Sequence, residues 1–137
     1  MKFVIAVLVV AGCATTSPVS FDDHSTRDLS GRITAGGEVG VLRLIPGDCF
    51  ILAGNEIEAV NAVPCEEDHN AEVFAILDLV DTEWPGTQVV AQVAENGCVD
   101  RFRAATGHVF DPVHVAITGY APSEQSWDDD RKVLCVV

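Results

Sequence analysis

Ala71-Glu72-Val73-Phe74-Ala75-Ile76-Leu77-Asp78-Leu79-Val80 is the stretch on which the fold turns. Its Val, Phe, Ile and Leu follow one another almost without a break, which suits a central strand covered on both faces. Pro85-Gly86 turns the chain after it, and Thr87 is placed to cap a helix. Val90, Ala94, Cys98 and Phe102 then recur at four-residue spacing, predicting one apolar stripe on a helix that runs to about Ala105. Asn96-Gly97 marks a point where that helix can kink or divide. Further on, Val113, Val115 and Ile117 alternate with His114 and Thr118, the pattern of a strand with one wet face. Arg131 to Val137 closes the chain as a last strand, with Val133, Cys135 and Val137 on a shared face.

Upstream of the central run, Val41 to Ile45 reads as a short strand ended by Pro46-Gly47. Cys49 to Leu52 is a second apolar run, closed by the turn signal Gly54-Asn55. Ile57 to Val63 alternates in part and stops at Pro64, as the returning strand of a hairpin does. The fold class is therefore α+β: a small, mostly antiparallel sheet with one main helix packed on it, in one domain over residues 41–137.

The first forty residues have a different character. Lys2 precedes an apolar run from Phe3 to Ala11, long enough for the core of an export signal and well short of the roughly 20 residues that span a bilayer. Val10-Ala11-Gly12-Cys13 resembles the lipobox of bacterial lipoproteins, in which small residues precede the cut and the cysteine thiol carries a diacylglycerol. The resemblance implies a signal peptide at residues 1–12, lipidation of Cys13, and a protein anchored to the cell membrane facing outside the cytoplasm. Each buried CH₂ contributes about 0.8 kcal/mol, so two or three acyl chains, palmitate among them, hold it there. Residues 13–40, rich in Thr, Ser, Asp and Gly, read as a lipidated N-terminus and flexible tether.

A net charge of −13 from 21 acidic and 8 basic residues excludes a nucleic-acid partner, whose phosphates demand Lys and Arg patches. It also disfavours binding of anionic lipid headgroups by the domain itself. Setting Cys13 aside leaves Cys49, Cys65, Cys98 and Cys135, an even count that in a small exported domain implies two disulfides. Three pairings exist. A hairpin turning near residues 54–57 brings Cys49 and Cys65 to the same open end, and the helical stripe points Cys98 inward toward a strand, so Cys49–Cys65 with Cys98–Cys135 is preferred.

Taken together, Gly47-Asp48-Cys49-Phe50, Val63-Pro64-Cys65 with His69, Ala71-Glu72-Val73-Phe74, Trp127, and Asp130-Arg131 before Cys135 resemble the septum-formation domain family. Those proteins are exported or membrane-tethered and chiefly actinobacterial. Asp129 stands where that family has glycine before the Asp-Arg pair, and Asp68 stands where it has proline before the histidine. The resemblance implies a place at the cell envelope and an association with septation, with no known reaction.

Several residues carry candidate chemistry. Cys65-x₃-His69-x₂-Glu72 offers thiolate, imidazole and carboxylate, all of which suit zinc. In an oxidising compartment the cysteine is instead tied up in a disulfide, so no metal and no cofactor are expected. Arg131 shares a strand face with Cys135, and an inward guanidinium needs a carboxylate; Asp48 and Glu72 are the candidates for a structural ion pair or ligand site. Trp127 is expected to plug the sheet edge and Trp84, beside Pro85, to be exposed. There is no Gly-x-Ser-x-Gly, no His-Glu-x-x-His and no phosphate-cradling glycine loop. The reading is a non-catalytic envelope lipoprotein, an interaction or accessory module whose partner is another envelope protein. A small-ligand or metal-binding lipoprotein built on His69, Glu72 and Arg131 is the alternative, and a small hydrolase the remaining one.

Overall fold

The computed structural model describes residues 22–54 and 58–137, so the segment expected to be an export signal, and Cys13 with it, lie outside the described residues. The strands are β1 (Thr26–Arg27), β2 (Ile33–Ala35), β3 (Gly37–Gly40), β4 (Cys49–Ile51), β5 (Ala59–Val63) and β6 (Ala71–Asp78). The helix α1 (Thr87–Thr106) follows, then β7 (Thr118–Tyr120) and β8 (Lys132–Val136). Six strands form one sheet in the order β3-β5-β4-β6-β8-β7, and every neighbouring pair in it is antiparallel. One helix on a mostly antiparallel sheet is the architecture the sequence implied.

β6 sits in the middle of the sheet, between β4 and β8. Its pairing with β8 slips between Val73 and Ala75, a bulge that leaves Phe74 as the extra residue. Ala71, Val73 and Ile76 join a core with Phe50, Val39 and Ile33, whereas Phe74, Ala75 and Leu77 join a second core with Ala94 and Cys98 of α1. β8 divides the same way, Leu134 and Val136 entering the first core and Val133 and Cys135 the second. The centre of the sheet is thus dry on both faces, which is why the sequence there is apolar without alternation.

The helix buries Val90, Ala94, Cys98 and Phe102, the stripe read from spacing alone. It starts after Gly86, whose φ of 100° only glycine adopts readily, so Thr87 is its first residue rather than its cap. It ends on Gly107, left-handed at φ 76°, whose N–H donates to the carbonyl of Arg103 at 2.9 Å. Gly97 neither kinks nor splits it. A Cβ there would lie 2.5 Å from Cδ1 of Leu77, so the glycine is where helix and sheet approach most closely.

Three expectations need correction. Residues 26–40, assigned to a tether, form β1, β2 and β3, with Ile33 and Val39 buried. Val41–Arg43 is a single 3₁₀ turn, not a strand. Residues 112–114 are turn and 115–117 no strand, because Asp111 accepts N–H bonds from Val113 through its side chain and from His114 and Val115 through its carbonyl; only Thr118–Tyr120 pairs with β8.

Candidate functional site

Cys49 opens β4 and lies opposite Glu72, the second residue of β6. The loop 64–70 returns past this point from the end of β5 and carries Cys65 and His69. Cys49 bonds Cys65 across a Cα–Cα distance of 5.2 Å, and Cys98 bonds Cys135 across 5.3 Å, so both disulfides pair as the hairpin and the helical stripe require. The two bridges differ in access. Cys98 and Cys135 are wholly buried between α1 and β8, whereas Cys65 is exposed and Cys49 buried beneath it.

His69 and Glu72 lie beside the exposed bridge. The Cys49 sulfur, a ring nitrogen of His69 and a carboxylate oxygen of Glu72 are all within 4.8 Å of one another. Nδ1 of His69 is 2.8 Å from the carbonyl of Glu67, so that nitrogen is the donor in this bond. Next in the loop, the Asn70 side chain accepts from the N–H of Leu52 at 2.7 Å and donates to its carbonyl at 3.1 Å, locking the loop to the strand end.

Asp48, only 3 % exposed, does not meet Arg131. Its carboxylate receives two parallel bonds from Arg27, NH1 to Oδ1 and NH2 to Oδ2, each 2.8 Å, and a third from the N–H of Ile45 at 2.9 Å. Arg27 also donates to the Gly31 carbonyl and to Asp23, both at 2.8 Å. Hydrogen bonding to Asp48, against the opposing cost of burial, raises the Arg27 pKa and keeps its charge fixed. Burial opposes ionisation of Asp23, yet bonds from Ser25 and Arg27 hold its carboxyl below the ordinary value.

Arg131 instead donates to the carbonyls of Trp127 (3.2 Å) and Asp81 (3.3 Å), with its guanidinium carbon 5.7 Å from the centre of the Trp127 ring. It sits just before Lys132, which pairs with Asp78, whereas Glu72 pairs with Val137 at the far end of the β6–β8 ladder. His69, Glu72 and Arg131 therefore do not form one site, and neither Asp48 nor Glu72 is the ion-pair partner of Arg131.

Trp127 is buried at 3 % exposure, as a plug should be. Trp84 is half-buried rather than exposed, because it packs edge-to-face on Trp127 with ring centres 5.2 Å apart. Trp84 also lines a groove of about 490 Å³ between the first half of α1 and residues 110–125; Val90, Ala94 and Phe110 supply apolar walls, and Glu95 and Glu124 supply two carboxylates. A smaller groove of about 330 Å³ includes Leu44, Ile76, Tyr120 and Asp130, and burial raises the pKa of both the Tyr120 hydroxyl and the Asp130 carboxyl. Ser123 and Ser126 cap each other's backbone around the turn Glu124–Ser126, which occupies both hydroxyls. His114 pairs with Asp111 at 2.8 Å on the surface.

A family model described as septum formation matches residues 46–137, more than half of the chain. The chain belongs to the septum-formation family. Among curated proteins and among solved structures, nothing matches it.

Within this septum-formation domain the motif residues have structural explanations. Gly47 has a φ of 96° and turns the chain into Asp48; Asp48 anchors Arg27; Cys49 and Cys65 staple the hairpin; and Trp127 and Arg131 stack at the opposite end of the central strands. The family match begins after Arg27, so the clasp joins the domain to a segment ahead of it. Arg27, which clasps Asp48, and Phe110, which lines the groove beside Trp84, are not singled out by the sequence pattern. The signal for Arg27 was a cation with an acid four residues before it, Asp23, inside a stretch otherwise read as tether. Among the described residues, no helix is long and apolar enough to cross a membrane.

Proposed function

We propose that this septum-formation family member is a lipid-anchored, non-catalytic module of the cell envelope that engages a partner protein where the cell divides. Membership of the family is the observation that carries the reading, and it points to a role in cell division. Anchorage through Cys13 rests on the export signal and the lipobox-like residues before it. Residues 14–21 separate Cys13 from the first described residue, Asp22. A chain of that length spans at most about 30 Å when extended, so lipidation at Cys13 keeps the domain at the bilayer surface.

The partner surface we assign is the groove beside Trp84. Its aromatic and aliphatic walls, Trp84, Phe110 and Val90, accept an apolar side chain, and Glu95 and Glu124 select for a Lys or Arg next to it. The overall charge of −13 adds attraction for a basic segment. The occupant is thus an envelope protein presenting a basic residue beside a large apolar one.

Crosslinking in intact membranes followed by affinity purification of a tagged, lipidated form tests this. One envelope protein should be captured by the native chain, be lost with Trp84→Ala or with Glu95→Lys combined with Glu124→Lys, and persist with Asp100→Ala as a control on the same helix. Cys13→Ser should lose the acyl glyceryl mass and keep residues 1–12 uncut. Equal capture by native and groove-altered chains would refute the surface, and a native chain cut before Cys13 without any acyl mass would refute the anchor.

A further inference from the structure

We propose that the Cys49–Cys65 bridge is the closed form of a zinc site, which opens on reduction and is made of the Cys49 and Cys65 thiolates, Nε2 of His69 and the Glu72 carboxylate. The bridge and these two side chains are absorbed by nothing in the partner-binding reading, and they converge in space. Cys49, His69 and Glu72 already place one donor atom each within 4.8 Å of the others, and the Cys65 sulfur is covalently joined to that of Cys49. A tetrahedral zinc ion with bonds of about 2.0–2.3 Å holds its ligand atoms roughly 3.3–3.8 Å apart. For these three donors the adjustment needed is at most about 1.5 Å, and His69 and Glu72 are exposed side chains.

The scaffold favours the site in three further ways. Cys49 and Glu72 are direct cross-strand partners, so the β4–β6 ladder fixes two ligands on two strands. The Glu67 carbonyl accepts a hydrogen bond from Nδ1–H of His69, which is the outer contact that a zinc-bound imidazole needs to present Nε2. Glu67 and Asp68 add negative charge within the loop, Glu66 being paired with Arg32, and the neighbouring Asp48 is neutralised by Arg27 and does not compete for the ion.

Reduction follows from the difference in access. A dithiol reductant attacks the exposed Cys65 sulfur as its thiolate, the S–S bond breaks, and Cys49 leaves as a thiolate. The second thiol of the reductant then displaces Cys65, the reductant ends as a disulfide, and the chain has gained two electrons and two protons. Zinc displaces those two protons to solvent as it binds. Cys98–Cys135, at 0 % exposure on both sides, is out of reach of the same reagent.

The full-length chain, purified in detergent, tests this with Zn²⁺ and Co²⁺ alone as probes. After mild dithiol treatment, alkylation should label Cys49 and Cys65 and leave Cys98 and Cys135 unlabelled. The reduced chain should then bind one Zn²⁺ about a hundredfold more tightly than the oxidised chain, protect both thiols from alkylation, and give the thiolate-to-cobalt charge-transfer band with Co²⁺. His69→Ala and Glu72→Gln should each weaken binding by at least about tenfold. Equal zinc affinity in the oxidised and reduced chains overturns the proposal, as does protection unchanged in His69→Ala. Circular dichroism covers the remaining case: a reduced chain that unfolds and is not refolded by zinc overturns it as well.

Discussion

A carboxylate as deeply buried as that of Asp48 needs its counter-charge within hydrogen-bonding reach, and Arg27 supplies it with a bidentate fork. Removing one member of such a pair leaves the other charge buried and unpaired, which costs about 3 kcal/mol or more. Arg27→Ala should therefore lower the thermal midpoint by roughly 12–24 °C, on the scale of about 4–8 °C per kcal/mol for a domain near 100 residues. Arg131→Ala removes two bonds to carbonyls and a ring contact, and should cost far less; the two melting curves, measured side by side, check the ranking. Asp130 gives a pH-dependent counterpart. Burial raises its pKa in the folded state, so the folded chain binds the proton more tightly than the unfolded one. Stability contributed by that proton is present at low pH and is lost as pH rises through the window just above the ordinary carboxylate value. Asp130→Asn keeps an acceptor for the Lys132 N–H and removes the ionisation. It should be slightly more stable than the native chain at neutral pH, with the difference vanishing on acidification; denaturant titrations at two pH values read this directly.

At the scale of elements, periodicity was the legible part. The four-residue recurrence of Val90, Ala94, Cys98 and Phe102 identified the buried face of α1, and the unbroken run from Ala71 identified the central strand, because both patterns follow directly from backbone geometry. The strands at 26–40 were hidden for an equally physical reason. They are two to four residues long, carry few apolar side chains, and are studded with glycines that usually mark flexible chain. Those glycines serve close packing instead: a Cβ at Gly36 would lie 2.8 Å from the Ala62 carbonyl, and one at Gly37 would collide with the His24 carbonyl. The Arg27–Asp48 contact spans 21 residues and leaves no local pattern, so the sequence shows Arg131 as a cation in need of a carboxylate, with Asp48 and Glu72 as candidates, and gives no sign that Asp48 is held by Arg27. Gly97 makes the same point on the helix. Gly→Ala gains about 1 kcal/mol of helix propensity, but the new methyl would press on Leu77, itself only 8 % exposed, and overpacking costs about 1–3 kcal/mol. Gly97→Ala should be neutral to destabilising by up to about 2 kcal/mol, whereas Gly97→Ala with Leu77→Val should recover part of that loss in chemical denaturation.

For the molecule as a whole, the two disulfides divide the work of holding a modest core. Cys49–Cys65 closes the β4–β5 hairpin over a separation of 16 residues, and Cys98–Cys135 ties the helix to the last strand over 37. Each contributes about 2–4 kcal/mol by restricting the unfolded chain, a stabilisation that exists only where thiols are oxidised. The clasp from Arg27 to Asp48 adds the segment ahead of the family domain to the same folded unit, which shortens the distance from the domain to Cys13. Export, acylation and oxidation are thus three parts of one account, and a single spectrum reads all of them. The intact mass of the chain recovered from cell membranes, taken without reduction, should correspond to residues 13–137 bearing the acyl glyceryl group and lacking the four hydrogens of two closed disulfides. A soluble, unacylated chain of residues 1–137 with every cysteine reduced would contradict it.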